Sequence, residues 1–98
     1  MTQDTLTQPR TYRMRDGVEI VADVGGPEDA PVVVFMHGGG QTRHSWSGAL
    51  APLIHAGYRV INYDARGHGD SGWSEDGVYT ISLRAHDLAT ILKDVRTP

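Results

Sequence analysis

A glycine-rich stretch, G-H-G-D-S-G at residues 67–72, matches the G-x-G-x-x-G fingerprint of dinucleotide-binding loops. In that chemistry the glycines leave a strand directly and open a helix, whose N-terminus binds the pyrophosphate. Here residues 64–66 separate the glycines from the preceding predicted strand, and residues 73–79 separate them from the next predicted helix. No later predicted strand supplies an acidic residue for the ribose. The pattern therefore does not predict dinucleotide binding.

A second glycine cluster, His37-Gly38-Gly39-Gly40, directly follows the apolar run VVVFM. Three glycines remove every Cβ, so the backbone can approach a substrate closely. Backbone N–H groups at such a turn stabilise the oxygen charge that develops in acyl transfer, typically by about 3 kcal/mol per donor. A phosphate-binding P-loop is not predicted, because Gln-Thr-Arg follows without Gly-Lys-Ser/Thr. Taken alone, the cluster indicates either an oxyanion hole or a glycine turn that binds no ligand.

The composition is that of an ordinary globular chain, with 39% hydrophobic and 21% charged residues. Its 98 residues suffice for one small domain. The net charge of −3 gives no attraction to nucleic acid or to an anionic membrane, so we expect neither as a partner. The absence of cysteine excludes disulfides and thiolate metal sites. The five histidines lack H-x-H or H-E-x-x-H spacing, so we expect no metal and no cofactor.

The N-terminal sequence MTQDTLTQPR has no apolar segment of the kind that signal peptides carry, which predicts a cytoplasmic protein. Residues 1–10 are polar and are predicted to be loose. The remainder, residues 11–98, contains no linker and no internal repeat, and is predicted to form part of a single domain.

The first half of the chain predicts a hairpin, a strand and a helix. Residues 12–24 alternate on either side of Asp16-Gly17, a hairpin signal because both central residues can adopt positive φ. Residues 32–36 are apolar at every position, which is typical of a strand covered on both faces in a parallel sheet. A short helix over residues 49–56 is expected to hold Pro52 in its first turn and to end at Gly57.

The second half predicts a strand over residues 58–63, a loop over residues 64–77 and a C-terminal helix with Thr80 as its N-cap. Strand–helix alternation of this kind predicts an α/β layer structure. The apolar face of the last helix is expected to comprise Ile81, Ala85, Leu88, Ile91, Leu92 and Val95.

Three segments together resemble the first part of an α/β-hydrolase: VVVFMHGGGQTRHSW, GYRVINYDARGHGDSG and LRAHDLATIL. In that family an H-G-x-x motif follows the third strand, and a D-x-R-G-x-G-x-S loop follows the fourth. Asp64, Arg66, Gly67, Gly69 and Ser71 match the second motif position by position. The resemblance implies an incomplete α/β-hydrolase fold, consisting of a β-hairpin followed by strand, helix, strand, loop and helix.

The resemblance also implies roles around the first motif. The backbone N–H of Gly39, together with that of Gly40, would form half of an oxyanion hole, and the residue after the nucleophile would supply the other half. His37 would brace this loop by hydrogen bonding, with Gly38 in support, and would not be the catalytic base. Trp46 either lines the entrance to the substrate pocket or packs on the core.

The residues of the second motif are expected to support the site structurally. Asp64 and Arg66 would tie their loop together by charge-assisted hydrogen bonds, with Gly67, Gly69 and Ser71 as the other supporting positions. For His68, within the same loop, the sequence leaves two alternatives open: the side chain approaches the active site, or it lies exposed.

The nucleophile of the hydrolase mechanism is missing from these 98 residues. No G-x-S-x-G occurs, and the near matches at Gly69 and Gly72 lie in the loop after the fourth strand, where no nucleophile elbow forms. We therefore interpret the chain as the N-terminal part of a longer hydrolase, inactive and prone to aggregation when made alone.

Three functions remain for the full-length protein. The favoured one is a serine-type carboxylic ester hydrolase or perhydrolase-like enzyme, resembling the esterase and cofactor-free haloperoxidase branches and acting on a small-molecule ester. An aspartate-nucleophile epoxide hydrolase or haloalkane dehalogenase is the second, because HGGGQTRHSW has the spacing of H-G-x-P-x-x-x-x-x-W, with Gly40 in place of the proline. A truncated, non-catalytic remnant is the third.

Overall fold

A four-stranded mixed sheet, in the order β1-β2-β4-β3, forms the centre of the fold. The computed structural model describes residues 6–38, 40–73, 80–93 and 95. The mixed sheet and its two helices confirm the predicted α/β class and the order of the elements. The elements are β1 (Thr7–Arg13), β2 (Glu19–Gly25), β3 (Val32–Met36), a 3₁₀ turn (Arg43–Trp46), α1 (Ser47–His55), β4 (Arg59–Tyr63) and α2 (Ile81–Leu92).

Strands β1 and β2 form the predicted antiparallel hairpin. The Met14 N–H donates to the carbonyl of Val18 at 2.8 Å and closes the turn. Of the two central residues, which can both adopt positive φ, only Gly17 does so, at +88°. Asp16 instead accepts a hydrogen bond from the Val18 N–H at 3.2 Å, an Asx-type contact that stabilises the turn from its side chain.

Strand β1 begins earlier than the sequence predicted. Residues 7–10 were expected to be loose, yet Thr7 pairs with Gly25 and the ladder continues without interruption to Arg13. Backbone hydrogen bonds form this part of the strand, while its side chains are mostly exposed, so no apolar alternation marks it. Pro9 is compatible with the strand because β1 lies at the edge of the sheet.

Strand β4 lies between β2 and β3, antiparallel to the first and parallel to the second. Helix α2 covers one face of the sheet, where Ile20, Ile61 and Ile91 are fully or almost fully buried. Helix α1 covers the other face, against Val60 and Phe35. Alternation along each strand thus supplies two separate apolar clusters, one per face.

Strand β3 is less covered than its apolar sequence predicted. In the part of the chain that the structure describes it pairs with β4 alone, so its outer edge is unpaired. Residues 32–34 are half-buried, and the Met36 side chain is 52% exposed.

Both helices end or begin at the expected signals. Helix α1 stops at His55, two residues before Gly57, but it begins at Ser47, which places Pro52 in the second turn instead of the first. The 3₁₀ turn leads directly into α1 and moves its start towards the N-terminus. Thr80 caps α2 as predicted, since its hydroxyl accepts a hydrogen bond from the Leu83 N–H at 3.1 Å.

Only part of the predicted apolar face of α2 is buried. Ile91 is fully buried and Leu88 packs against the core, whereas Ile81 is 87% exposed. The acidic residue Asp87 lies on the buried side, with 4% exposure. In the described ranges no helix is long and apolar enough to cross a membrane.

Candidate active site

Two loops meet at the carboxyl ends of the parallel strands β3 and β4. The first, residues 37–42, contains the HGGG cluster and leads to the 3₁₀ turn, and the second, residues 64–73, contains the D-x-R-G-x-G-x-S motif. Because the carboxyl ends of parallel strands lie at the same edge of a sheet, the two motifs are brought together although about 25 residues separate them. Ligands of open α/β sheets bind outside this edge.

Each loop contributes a histidine that accepts a backbone hydrogen bond from the other loop. The Ala65 N–H donates to Nε2 of His37 at 2.9 Å, and the Gly40 N–H donates to Nε2 of His68 at 3.3 Å. The centroids of the two imidazole rings are 5.0 Å apart. Of the two alternatives for His68, the structure therefore favours the one in which the side chain approaches the candidate site.

The hydrogen bonds of the two ring nitrogens define the tautomers of His37 and His68. An Nε2 atom that accepts a hydrogen bond carries no proton, so Nδ1 carries the proton in a neutral ring. In His37 this Nδ1–H donates to the carbonyl of Gly38 at 2.8 Å. In His68 it donates to the carbonyl of Arg66 at 3.1 Å. Both rings therefore act as rigid bridges with one donor and one acceptor.

The backbone donors of the HGGG cluster are largely used within the protein. The Gly38 N–H donates to the side-chain oxygen of Gln41 at 3.0 Å, and the Gly40 N–H donates to His68. The predicted oxyanion donor Gly40 thus already has an acceptor. The other predicted donor, Gly39, lies outside the described residues.

A buried arginine, Arg43, begins the 3₁₀ turn directly after the first loop and joins this part of the chain to the second loop. Its guanidinium contacts Asp23 and Asp70 at 3.0 Å each and also pairs with the fully buried Asp64. The backbone N–H of Arg43 donates to Asp64 at 2.6 Å, and the Asn62 side chain donates to the Arg43 carbonyl at 2.7 Å. The three carboxylates therefore surround a cationic side chain.

This cluster shifts the ionisation of its members. Burial alone would lower the pKa of Arg43, but its hydrogen bonds to Asp70, Asp23 and Asp64 raise that pKa instead. Burial alone would raise the pKa of Asp64, but hydrogen bonds from the backbone N–H groups of Arg43 and Asp70 and from the Arg43 side chain lower it. Both groups are consequently held in their charged forms.

A second buried pair joins the same loop to α2. Nε and Nη2 of Arg66 each lie 2.7 Å from a carboxylate oxygen of Asp87, and Nη1 lies 2.7 Å from Asp16 in the hairpin turn. The hydrogen bond to Asp87 is the main reason why the pKa of Arg66 is raised, and the hydrogen bond from Arg66 lowers the pKa of Asp16. Asp64 and Arg66 therefore have different partners in these contacts, and each fixes the loop to a different element.

The remaining residues of the second motif anchor it to β2. The Ser71 hydroxyl donates to the carbonyl of Asp64 at 2.6 Å and accepts from the Val21 N–H at 2.9 Å, which leaves this serine buried and engaged. The Gly67 N–H donates to the carbonyl of Gly72 at 2.8 Å. A Cβ at Gly69 would overlap the Asp64 carboxylate, so only glycine fits there.

Trp46 follows the first loop and packs on the core. Its ring lies 5.3 Å from the ring of Phe35, centroid to centroid, and the residue is 39% exposed. A contact with substrate through its exposed part stays a prediction.

Sequence reasoning missed most of the charged partners in this site. Asp87 carried a detectable signal, because it lies four residues before Ile91 on the apolar face of the predicted helix. A buried carboxylate on such a face requires a cationic partner. Arg43 carried none, since it lies in the uniformly polar stretch QTRHS. The other missed residues are Asp16, Asp23, Gln41, Asn62 and Asp70.

Comparison with known proteins agrees with this architecture. The model of the alpha/beta hydrolase family matches residues 33–98. An esterase of Mycobacterium tuberculosis is 37% identical over 87 residues, which are 89% of this chain and 28% of the relative. A bifunctional esterase/perhydrolase of Acinetobacter calcoaceticus is 35% identical over 79 residues, which are 81% of this chain and 28% of that protein.

Among solved structures, epoxide hydrolase A from Mycobacterium thermoresistibile superimposes with a TM-score of 0.81 at 29% identity, over 93% of this chain and 30% of the enzyme. The chain therefore belongs to the alpha/beta hydrolase family. It spans 28% of the length of the two curated relatives above.

Proposed function

We propose that this chain supplies the oxyanion-binding part of a serine-type carboxylic ester hydrolase or perhydrolase-like enzyme. The observation that carries the proposal is the way in which the HGGG cluster is held. Gly38 and Gly40 donate their N–H groups to Gln41 and His68, and His37 fixes the start of the loop to Ala65. Gly39 is then the residue of the cluster whose amide we assign to the substrate.

An oxyanion-binding amide acts on the transition state. When a nucleophile attacks an ester, negative charge develops on the carbonyl oxygen, and a fixed N–H stabilises that charge without further reorganisation. The nucleophilic serine, its histidine base and the orienting acid would come from the remainder of the full-length protein. The names of the two curated relatives, an esterase and an esterase/perhydrolase, support this reaction class.

An epoxide hydrolase with an aspartate nucleophile is the second candidate. It is supported by the solved epoxide hydrolase structure above and by the spacing from His37 to Trp46. The conformation of Gly40 argues against it, since its φ is +76° and proline is confined to about −65°. A proline there would also lack the N–H that donates to His68. We therefore favour the ester hydrolase.

The proposal is tested by removing the Gly39 amide in the full-length protein. Gly39→Pro should lower kcat for a chromogenic short-chain ester by roughly 10²- to 10³-fold with little change in KM, because the contact forms in the transition state. Gly48→Ala, in α1, is the matched control and should retain activity, since nothing lies within 4 Å of the added methyl group. A Gly39→Pro enzyme that folds and keeps its kcat would refute the assignment.

A further inference from the structure

We infer that His68 is a positioning residue that sets the geometry of the oxyanion loop, an inference that rests on the proposed function. His68 belongs to the second loop and follows Gly40 by 28 residues in the sequence, yet its side chain contacts Gly40, the residue directly after Gly39. Its Nε2 accepts the Gly40 N–H at 3.3 Å.

The acceptor atom is itself held in place. The Nδ1–H of His68 donates to the carbonyl of Arg66 at 3.1 Å, which fixes the tautomer and leaves the Nε2 lone pair free for Gly40. Arg66 is 1% exposed and is fixed in turn by its two hydrogen bonds to Asp87. A continuous series of hydrogen bonds therefore runs from α2 through Arg66 and His68 to the HGGG cluster.

The HGGG cluster is held by hydrogen bonds on both sides of position 39. On the N-terminal side, the Gly38 carbonyl accepts a hydrogen bond from His37, and the Gly38 N–H donates to Gln41. On the C-terminal side, the Gly40 N–H donates to His68. Glycine has the widest choice of backbone conformations, so a run of three glycines adopts one orientation only when contacts on both sides select it. Without His68 the Gly40 N–H loses its acceptor, and the C-terminal side of the cluster is no longer held.

His68 acts through Gly40 and touches no reacting atom, so its removal should affect the transition state more than substrate binding. In the full-length protein, we expect His68→Leu to lower kcat by on the order of 10- to 100-fold while KM stays nearly constant, the effect of a small misplacement of a catalytic group. His68→Gln should restore most of kcat, because the glutamine amide oxygen can reach the position of Nε2 and accept the same N–H. His55→Leu, an exposed histidine at the end of α1, serves as the control for loss of an imidazole.

A second measurement is independent of activity. Long-range ¹H–¹⁵N spectra of histidine-labelled protein report which ring nitrogen carries the proton, and we expect the Nδ1–H tautomer for His68. We also expect the Gly40 amide to exchange faster with solvent in His68→Leu than in the wild type or in His68→Gln.

The outcomes separate this inference from the proposed function. An Nε2–H tautomer for His68, or Gly40 exchange that His68→Leu does not change, would overturn the inference whatever the activity. The expected tautomer and exchange, combined with equal kcat in wild type and His68→Leu, would likewise overturn it, because the contact would then exist without positioning the donor. Loss of activity in Gly39→Pro tests the oxyanion assignment alone.

Discussion

Arg66 and Asp87 form a bidentate pair in which both N–O distances are 2.7 Å, and the two residues are 1% and 4% exposed. The pair joins the loop after β4 to the middle of α2. Residues 74–79, which lie between these two elements in the sequence, are outside the described part. A buried charge without its partner is far more costly than an apolar residue of similar size. The pair therefore makes the position of the loop dependent on the docking of α2.

A double-mutant cycle should reveal this dependence. Arg66→Met or Asp87→Leu alone should lower the free energy of unfolding of the full-length protein by about 3–5 kcal/mol, because each removes the bidentate partner of a buried charge. The double variant should cost much less than the sum of the two single variants. Denaturant unfolding gives all three values, and additivity of the two single effects would contradict the coupling.

The absence of a side chain at Gly69 is required by the Asp64 carboxylate. Gly69→Ala places a methyl group against that carboxylate at a positive φ of +51°, so we expect a loss of about 1–3 kcal/mol in stability. Gly48→Ala adds the same methyl group on α1, where it meets nothing within 4 Å, and should be neutral or slightly stabilising. Equal melting temperatures for the two variants would contradict this explanation.

The Asp64 carboxylate should also contribute to the acid sensitivity of the protein. Its folded-state pKa lies below the ordinary value of 3.8, so its stabilising effect is complete above the unfolded pKa and is lost as pH falls through the folded pKa. The stability difference between wild type and Asp64→Asn should therefore be largest near neutral pH and should shrink as pH falls below about 3.8. Urea titrations across this range measure it.

A matched carboxylate variant provides the control for that titration. Asp29→Asn removes a carboxylate from an exposed turn and so controls for the loss of one negative charge. A difference between wild type and Asp64→Asn that is constant with pH, or that grows on acidification, would be inconsistent with the lowered pKa.

The unpaired edge of β3 should make the isolated 98-residue chain self-associate. An apolar strand with free backbone N–H and C=O groups pairs readily with other strands, so light scattering should show mass rising with concentration. Met36→Lys places a charge at the exposed end of this strand and should reduce the association. A monomeric isolated chain with a cooperative thermal transition would contradict the expectation.

Local patterns were sufficient for most of the fold. The Asp16-Gly17 turn, the apolar run of β3 and the Thr80 cap each depend on neighbouring residues, and each predicted its element correctly. Residues 7–10 of β1 could not be recognised, because they are held by backbone pairing and expose their side chains.

The candidate site was less accessible to sequence reasoning, because its contacts join residues far apart in the chain. Arg43 contacts Asp23 in β2 and Asp70 in the second loop, partners that only the fold brings together. The sequence predicted that Asp64 and Arg66 form charged hydrogen bonds, but the identity of their partners depended on the sheet order and on the docking of α2.

The most direct test of the ester-hydrolase proposal is covalent labelling of the full-length protein with a fluorophosphonate, a reagent that phosphonylates activated serine hydroxyls. We expect one label per protein molecule, located by peptide mass spectrometry on a serine outside these 98 residues, together with loss of ester hydrolysis. An unlabelled protein that hydrolyses an epoxide in H₂¹⁸O and transfers ¹⁸O into an aspartate side chain would contradict the proposal and establish the aspartate nucleophile instead.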